Sequence, residues 1–336
     1  MAKSDRATCD SRPDPGPLGS GAAPGLHSPP GRLQVKLSAV LFPAVAAFAA
    51  GCSGSPAEAP SPASTPRSVT ARPPAAAPAG PVLPAPNAAI PRAPGKLAHR
   101  LFVTTRALHA AVDRWREEGD PATGGPPRDV QLLALHHQRI YRLLRSDEGL
   151  ARRTFRKLPS GLAREARAIV GSSKGLERIT PALQARKIRT KKPVPVGQLL
   201  GYYRQAEKRF GVPWEVLASV NFVESAFGKI RTDSAVGAQG PMQFMPATWA
   251  AYGLGGDVHD ERDAIMGAAN YLAASGALGD VRKALWHYNQ STDYVDAVIR
   301  YARQIEADPD DLYVFYSWQL FVRTEKGDLR LTGPGR

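Results

Sequence analysis

A single glutamate stands at the end of an apolar segment, "VNFVESAFG", residues 220–228. The segment predicts a helix that begins at Pro213, because Gly211 ends the helix before it. Glu224 therefore lies near the C-terminus of a largely apolar helix. Apolar surroundings raise the pKa of a carboxyl group, and the negative end of the helix dipole adds to this effect. A carboxyl still protonated near neutral pH can donate a proton to a leaving oxygen, which makes Glu224 a candidate acid.

The segments after Glu224 predict the loops and helices that position it. Residues 237–253, "GAQGPMQFMPATWAAYG", predict an irregular loop followed by a helix start. "DAIMGAANYLAASG" predicts a helix of small residues that its neighbours can approach closely, and "KALWHYNQSTDYVDAVIRYARQI" predicts a helix, a polar loop and a final helix. Asp257, His259 and Asp260 are interpreted as turn and capping residues, because the oxygen-ligand spacing of a calcium loop is missing.

Four motifs follow one another in this region: "ES" at Glu224, "GPMQFMPATW", "AANYL", and "YN" followed by "YVDAVIRY". Over about residues 197–305 they resemble the lytic transglycosylases of the lysozyme-like superfamily. The resemblance implies cleavage of the MurNAc–GlcNAc β-1,4 linkage of peptidoglycan without water. It implies one glutamate that acts first as acid and then as base, and attack of the muramyl C6 hydroxyl on C1 to leave a 1,6-anhydro end. It implies no cofactor and no metal.

The same resemblance assigns roles to individual residues. Glu224 matches the catalytic glutamate, and Tyr288 matches the tyrosine that approaches it. The substrate-binding positions that the resemblance implies are Ser225, Met242, Gln243, Tyr288 and Asn289. Pro241 departs from the family pattern, since it stands where leucine is common.

Each assigned residue also has a structural interpretation. Ser225 can cap the end of its helix, Met242 can belong to the core, Gln243 can be an ordinary loop residue and Tyr288 a packed aromatic. Trp249 and Trp286 are interpreted as core residues rather than sugar platforms. Two functional alternatives remain: a lysozyme-type muramidase, for which Asp233 is the nearby second carboxylate, and a wall-binding protein without activity.

The N-terminal region predicts export. Residues 37–52, "LSAVLFPAVAAFAAGC", follow a basic patch and are too short to span a bilayer comfortably, which favours a signal segment. "FAAGC" resembles the lipobox of bacterial lipoproteins, although Ala49 replaces the usual leucine. The resemblance implies lipidation of Cys52 and an anchor on the outer face of the cytoplasmic membrane, from which the enzyme reaches the wall. The alternative is a plain secretory signal.

The composition divides the chain into five parts. The expected parts are a signal-bearing extension at 1–52, a Pro/Ala-rich linker at 53–96, a helical module at 97–190, the lysozyme-like domain at 191–310, and a β-hairpin with its tail at 311–336. The expected fold class is therefore mainly α. His136 and His137 in the helical module are interpreted as surface residues.

The chain is basic, with a formal net charge of +14 over 336 residues, which favours anionic partners. The segment "ARKIRTKKP", residues 185–193, concentrates this charge. No aromatic residues interleave with it, so it is interpreted as a solvated linker that favours anionic wall or lipid groups rather than nucleic acid. The two cysteines, Cys9 and Cys52, precede the globular region and can neither cross-link its core nor form a zinc site.

Overall fold

The computed structural model describes residues 82–180, 188–234, 236–324 and 327–335. Within these residues the chain forms eleven helices followed by a two-stranded antiparallel sheet, so the expected mainly α fold with a C-terminal hairpin is confirmed. The helices are α1 Pro94–Glu118, α2 Arg128–Ser146, α3 Glu148–Phe155, α4 Ser160–Ile179, α5 Val196–Phe210, α6 Trp214–Ser225, α7 Pro246–Tyr252, α8 Glu261–Ala274, α9 Val281–Tyr288, α10 Thr292–Ala307 and α11 Asp310–Ser317. The strands are β1 Phe321–Thr324 and β2 Gly327–Arg330. In the described part of the chain, no helix combines the length and apolar character needed to cross a membrane.

Helices α1 to α4, which we call the helical module, precede the glutamate in the chain. Five apolar residues of α1 that recur at close to a helical period are buried: Leu97, Leu101, Leu108, Val112 and Trp115. The end predicted for the linker is wrong, because α1 already begins at Pro94 and the residues before it pack on the module. Leu83 and Ile90 contact the core, and the Arg139 guanidinium donates to the carbonyl oxygen of Ala88 at 2.9 Å. Cys52 and residues 53–81 lie outside the described residues.

The helical module packs directly on α10. Glycines on α4 permit the close approach, since a Cβ added at Gly175 would lie 3.3 Å from Oδ1 of Asp293. The Arg178 Nε donates to Asp293 Oδ2 at 2.9 Å and ties the C-terminal end of α4 to the start of α10. The module thus supports one of the helices that surround Glu224.

His136 and His137 are buried, so their interpretation as surface residues is wrong. The His137 ring lies edge-on to Tyr141, with 4.8 Å between ring centroids, and 5.9 Å from Trp318. Burial lowers the pKa of His136 to about 4 and that of His137 to about 3, which keeps both rings neutral at pH 7.

The C-terminal region contains a helix that its sequence pattern does not predict. Aromatic and β-branched residues alternate after position 311, yet residues 310–317 form α11, and every one of its residues is buried. A helix that is buried on all sides needs no polar face. Asp310 and Asp311 lie in its first turn, where acidic side chains interact favourably with the positive end of the helix dipole. The hairpin is therefore shorter than predicted, with Phe321 opposite Arg330.

The hairpin packs beside the end of α6. Apolar residues of the hairpin and of its flanks form a small hydrophobic cluster that is separate from the main core. The cluster contains Leu320, Val322 and Leu331, packed against Ile188, Ala226 and Ile230. Ala226 directly follows α6, so the C-terminal hairpin supports the segment that leaves Glu224.

Candidate active site

Local sequence signals position the helix that carries Glu224. Helix α5 ends at Gly211, whose φ of 73° is the left-handed conformation that glycine adopts without steric cost. Pro213 stands before the first turn of α6, and Ala226, also left-handed at φ 54°, follows its last residue. Glu224 lies near the C-terminus of its helix, as predicted, and is the penultimate residue of α6.

The carboxyl group of Glu224 is half-buried and has one hydrogen-bond donor among the described side chains. The hydroxyl group of Tyr294, on α10, donates to Oε1 of Glu224 at 2.6 Å. Burial raises the pKa of Glu224 to about 7, while the hydrogen bond from Tyr294 opposes part of that rise by stabilising the carboxylate. A group that titrates near 7 can both donate and accept a proton at neutral pH.

Tyr294 is the tyrosine whose hydroxyl group contacts Glu224. The ring of Tyr288 lies next to the ring of Tyr294. The two rings are parallel within 5°, with centroids 6.4 Å apart. The hydroxyl group of Tyr288 donates to the carbonyl oxygen of Met242 at 2.7 Å. Burial raises the pKa of Tyr288, and the charge of Glu224 also acts on Tyr288 and raises that pKa further. Tyr294 lies inside the motif "YVDAVIRY", which marked the region but did not show which ring reaches the carboxyl group.

Hydrogen bonds attach the loop of residues 237–245 to the end of α6. The Ser225 hydroxyl donates to the carbonyl oxygen of Pro241 at 2.6 Å and accepts from the backbone N–H of Gly228 at 2.8 Å. The Asn221 amide donates to the same Pro241 oxygen at 3.1 Å. Since both Ser225 and Met242 are 0% exposed, the expectation that their side chains touch sugar is corrected: they hold the loop in place.

Gln243 and Asn289 differ in exposure: Gln243 is half-buried, whereas Asn289 is buried. Gln243 is half-buried in the 237–245 loop with a φ of 50°, and its side-chain amide donates to the carbonyl oxygen of Gly240 at 2.9 Å. A non-glycine residue with positive φ is strained and is frequent at functional sites. Asn289 is 5% exposed and follows the last residue of α9, where its backbone N–H donates to the carbonyl oxygen of Leu285.

Aromatic rings continue outward from the glutamate. Tyr271 lies 5.7 Å from Tyr288 between centroids, and Tyr252 lies 4.8 Å from Tyr271. Tyr252 and Tyr271 are half-buried and retain accessible surface. Trp286 is 41% exposed, so its interpretation as a core residue is wrong. Accessible aromatic faces of this kind can pack on the apolar faces of pyranose rings.

A comparison with protein-family models matches residues 201–310 to the transglycosylase SLT domain. Residues 201–310 form an SLT domain, the domain of peptidoglycan lytic transglycosylases. The matched region begins in α5 and ends at the start of α11, so it contains Glu224, Tyr294 and the 237–245 loop. Enzymes of the SLT family are lyases that act on polysaccharide, and this domain belongs to the lysozyme-like superfamily. No solved structure gives a significant match to the chain.

The acidic loop before α8 has the structural roles that the sequence indicated. The Asp260 side chain accepts from the backbone N–H of Asp263 at 2.9 Å and caps α8, while Asp257 accepts from the N–H of His259. Across the described ranges of the chain, no group of three or more His, Cys, Asp or Glu side chains is arranged to hold a metal ion.

Proposed function

We propose that Glu224 serves as acid and then as base in a non-hydrolytic cleavage of the MurNAc–GlcNAc β-1,4 linkage. The observation that carries the proposal is the half-buried carboxyl group with a pKa of about 7, hydrogen-bonded to Tyr294. A group with this pKa is sufficiently protonated to act as an acid at neutral pH, and its conjugate base is strong enough to take a proton from a hydroxyl group.

The two proton transfers balance without water. In the first step, protonated Glu224 gives its proton to the glycosidic oxygen while the bond from that oxygen to C1 of MurNAc breaks. In the second step, the Glu224 carboxylate removes the proton of the C6 hydroxyl, whose oxygen bonds to C1. The products are a GlcNAc end with a free hydroxyl and a 1,6-anhydro-MurNAc end, and Glu224 is protonated again. Tyr294 stabilises the carboxylate between the two steps.

The proposed route needs one carboxyl group, whereas a muramidase of the usual kind uses two. Glycosidases that use water generally place a second carboxylate about 5–9.5 Å from the first. In the part of the chain that the structure describes, no Asp or Glu contributes to the shifted pKa of Glu224; the causes are burial and Tyr294. Asp233, the second carboxylate considered from the sequence, is not among them.

Gln243 and Asn289 are the polar groups that we propose for contact with the glycan, together with Tyr288 behind Tyr294. An amide can donate to and accept from sugar hydroxyl and N-acetyl groups, and Gln243 is half-buried at the loop surface. Tyr252 and Tyr271 offer ring faces farther from the glutamate. Ser225 and Met242 act indirectly, by fixing the 237–245 loop against α6.

Export and a lipid anchor at Cys52 complete the proposed function. Action on peptidoglycan implies work outside the cytoplasm, and the apolar segment 37–52 ends at a lipobox-like "FAAGC". Cys52→Ser is expected to move the protein from the membrane fraction to the soluble fraction of the envelope. Mass spectrometry of Cys52 in the native protein tests the same point, because an unmodified thiol there would contradict the anchor.

The central experiment is mass spectrometry of fragments released from purified peptidoglycan by the full-length chain and by Glu224→Gln. We expect fragments that end in 1,6-anhydro-MurNAc from the native enzyme and none from Glu224→Gln. Glu215→Gln is the matched control, since it changes the same residue type in the first turn of the same helix, and it should retain activity. Reducing ends would identify a muramidase. Binding without fragments would identify a wall-binding protein.

A further inference from the structure

A cavity lies beside Lys229, five residues after Glu224 in the chain. Its volume is about 440 Å³, within the range of small-molecule sites. It is formed by the α1–α2 connection, the segment before α5, the residue Lys229 and the C-terminal end of α11. The lining residues that carry the argument are Gln131, Thr190, Lys191, Lys192, Lys229 and Gln319. We call it the lysine cavity.

Lys229 places a buried ammonium group at this cavity. The residue is 7% exposed, and its Nζ donates to the carbonyl oxygens of Tyr316 and Trp318, the second at 2.7 Å. Burial lowers the pKa of Lys229 to about 7, and no carboxylate of a described residue offsets that effect. An ammonium group has three donors, and the carbonyl oxygens of Tyr316 and Trp318 accept from two of them.

Two further lysines add positive charge at the same place. Lys191 forms an ion pair with Glu261, whereas exposed Lys192 has no ion pair to any described residue. Among the described residues that line the lysine cavity there is no Asp or Glu. Glu261 offsets Lys191, so the positive charge of the site comes from Lys192 and from the protonated fraction of Lys229. The amides of Gln131 and Gln319 provide polar groups beside it.

We propose that the lysine cavity binds a carboxylate of the stem peptide carried by the glycan strand. This inference rests on the proposed function, because it makes the occupant part of the substrate of Glu224. Lys229 follows Glu224 by five residues, so their Cα atoms lie at most about 18 Å apart. An extended tetrapeptide covers about 14 Å, and the lactyl group that joins it to MurNAc adds further reach. A stem peptide on a strand held at Glu224 is therefore long enough to place a carboxylate at Lys192 and Lys229.

The first test measures binding apart from catalysis. Isothermal titration uses the full-length chain with a synthetic stem tetrapeptide, the same peptide with its carboxylates amidated, and inorganic phosphate. We expect the free tetrapeptide to bind and the amidated peptide to bind at least about tenfold more weakly, since charge-assisted hydrogen bonds are lost. Tighter binding of phosphate than of tetrapeptide, or no binding of either, overturns the proposal.

Two variants localise the binding. Lys192→Gln removes an exposed charge without disturbing a described hydrogen bond and should weaken the tetrapeptide about fivefold. Lys157→Gln removes an exposed charge from the helical module and is the matched control, which should bind as the native chain does. Lys229→Met should abolish binding, and its melting temperature is measured beside it because the lysine also holds the α11 carbonyls. Equal binding by Lys192→Gln and the native chain overturns the proposal.

The second test separates this inference from the proposed function. Cleavage rates are measured on glycan strands with intact stem peptides and on strands whose peptides an amidase has removed. We expect Lys192→Gln to lower kcat/KM about fivefold on the intact strands and to leave the peptide-free strands unchanged. An equal effect on both substrates overturns the stem-peptide site but leaves the role of Glu224 intact. Failure of the native enzyme on both substrates contradicts the proposed function itself.

Discussion

The hydroxyl group of Tyr294 donates a 2.6 Å hydrogen bond to Oε1 of Glu224, across the contact between α10 and α6. This one donor opposes the effect of burial on the same carboxyl group. The pKa of about 7 is therefore a balance between desolvation, which favours the neutral acid, and a hydrogen bond that favours the carboxylate. Removing the hydrogen bond or the carboxyl group should therefore change how activity and stability depend on pH.

Tyr294→Phe should shift the activity profile to higher pH. The hydrogen bond lowers the pKa of Glu224, so its loss raises that pKa, and the protonated acid persists to about one pH unit higher. The maximal rate should fall about tenfold, because the carboxylate between the two proton transfers loses its donor. The measurement is kcat/KM against pH. Tyr288→Phe is the control; an equal shift with Tyr288→Phe would contradict a specific role for Tyr294.

Glu224→Gln should stabilise the protein at alkaline pH and not at acidic pH. The folded-state pKa of about 7 lies above the ordinary value of 4.5, so the folded protein binds more protons than the unfolded chain between these values. Stability therefore falls as the pH rises through this window. The uncharged glutamine avoids this loss, which gives about 2–3 kcal/mol at pH 8 and almost nothing near pH 4. Denaturant unfolding at both pH values measures it, and a constant difference would contradict the raised pKa.

Ser225→Ala should destabilise the fold by about 1–3 kcal/mol, because the buried N–H of Gly228 loses its acceptor and the link to Pro241 is weakened. Ser219→Ala is the matched control. Ser219 is buried on the same helix and its hydroxyl has no hydrogen-bond partner among the described residues, so the change should be nearly neutral. Denaturant unfolding compares the two variants. Equal losses of stability would show that the hydrogen bonds of Ser225 contribute little.

Gln243→Gly should separate activity from stability. Glycine relieves the strain of a φ of 50° but removes the side-chain bond to Gly240, so unfolding free energy should stay within about 1 kcal/mol of the native value. If the amide contacts the glycan, kcat/KM should fall about tenfold. Gln243→Asn keeps an amide on a residue that tolerates positive φ and should lose less activity. A fully active Gln243→Gly enzyme would remove Gln243 from the substrate contacts.

Gly240→Ala should disrupt the 237–245 loop. The glycine has a φ of 72°, and an added Cβ would lie 1.8 Å from the carbonyl oxygen of Val258. Relieving this clash requires a shift of the backbone. We expect a loss above about 3 kcal/mol together with loss of activity. Gly255→Ala is the matched control, because its φ is 78° but nothing lies within 4 Å of the added Cβ. That control should cost about 1 kcal/mol, and thermal unfolding distinguishes the two.

The sequence by itself determined where the helices around Glu224 begin and end. Gly211 and Pro213 are local signals whose effect depends on their own φ angles, so the end of α5 and the start of α6 follow without any tertiary contact. The apolar residues of α6 likewise predicted a carboxyl group with a raised pKa. The motif series predicted the SLT domain, since four ordered motifs are far more specific than any single one.

The tertiary structure decided which side chains meet. Tyr288 and Tyr294 are six residues apart on two helices, and only the packing of α10 against α6 brings the hydroxyl of Tyr294 to Glu224. The same packing buries Ser225 at the end of α6 and Met242 within the 237–245 loop. Residues 310–317 alternate like a strand but form α11, because the space between neighbouring helices buries all their faces. Contacts between distant segments depend on the sum of all packing energies, which no local pattern contains.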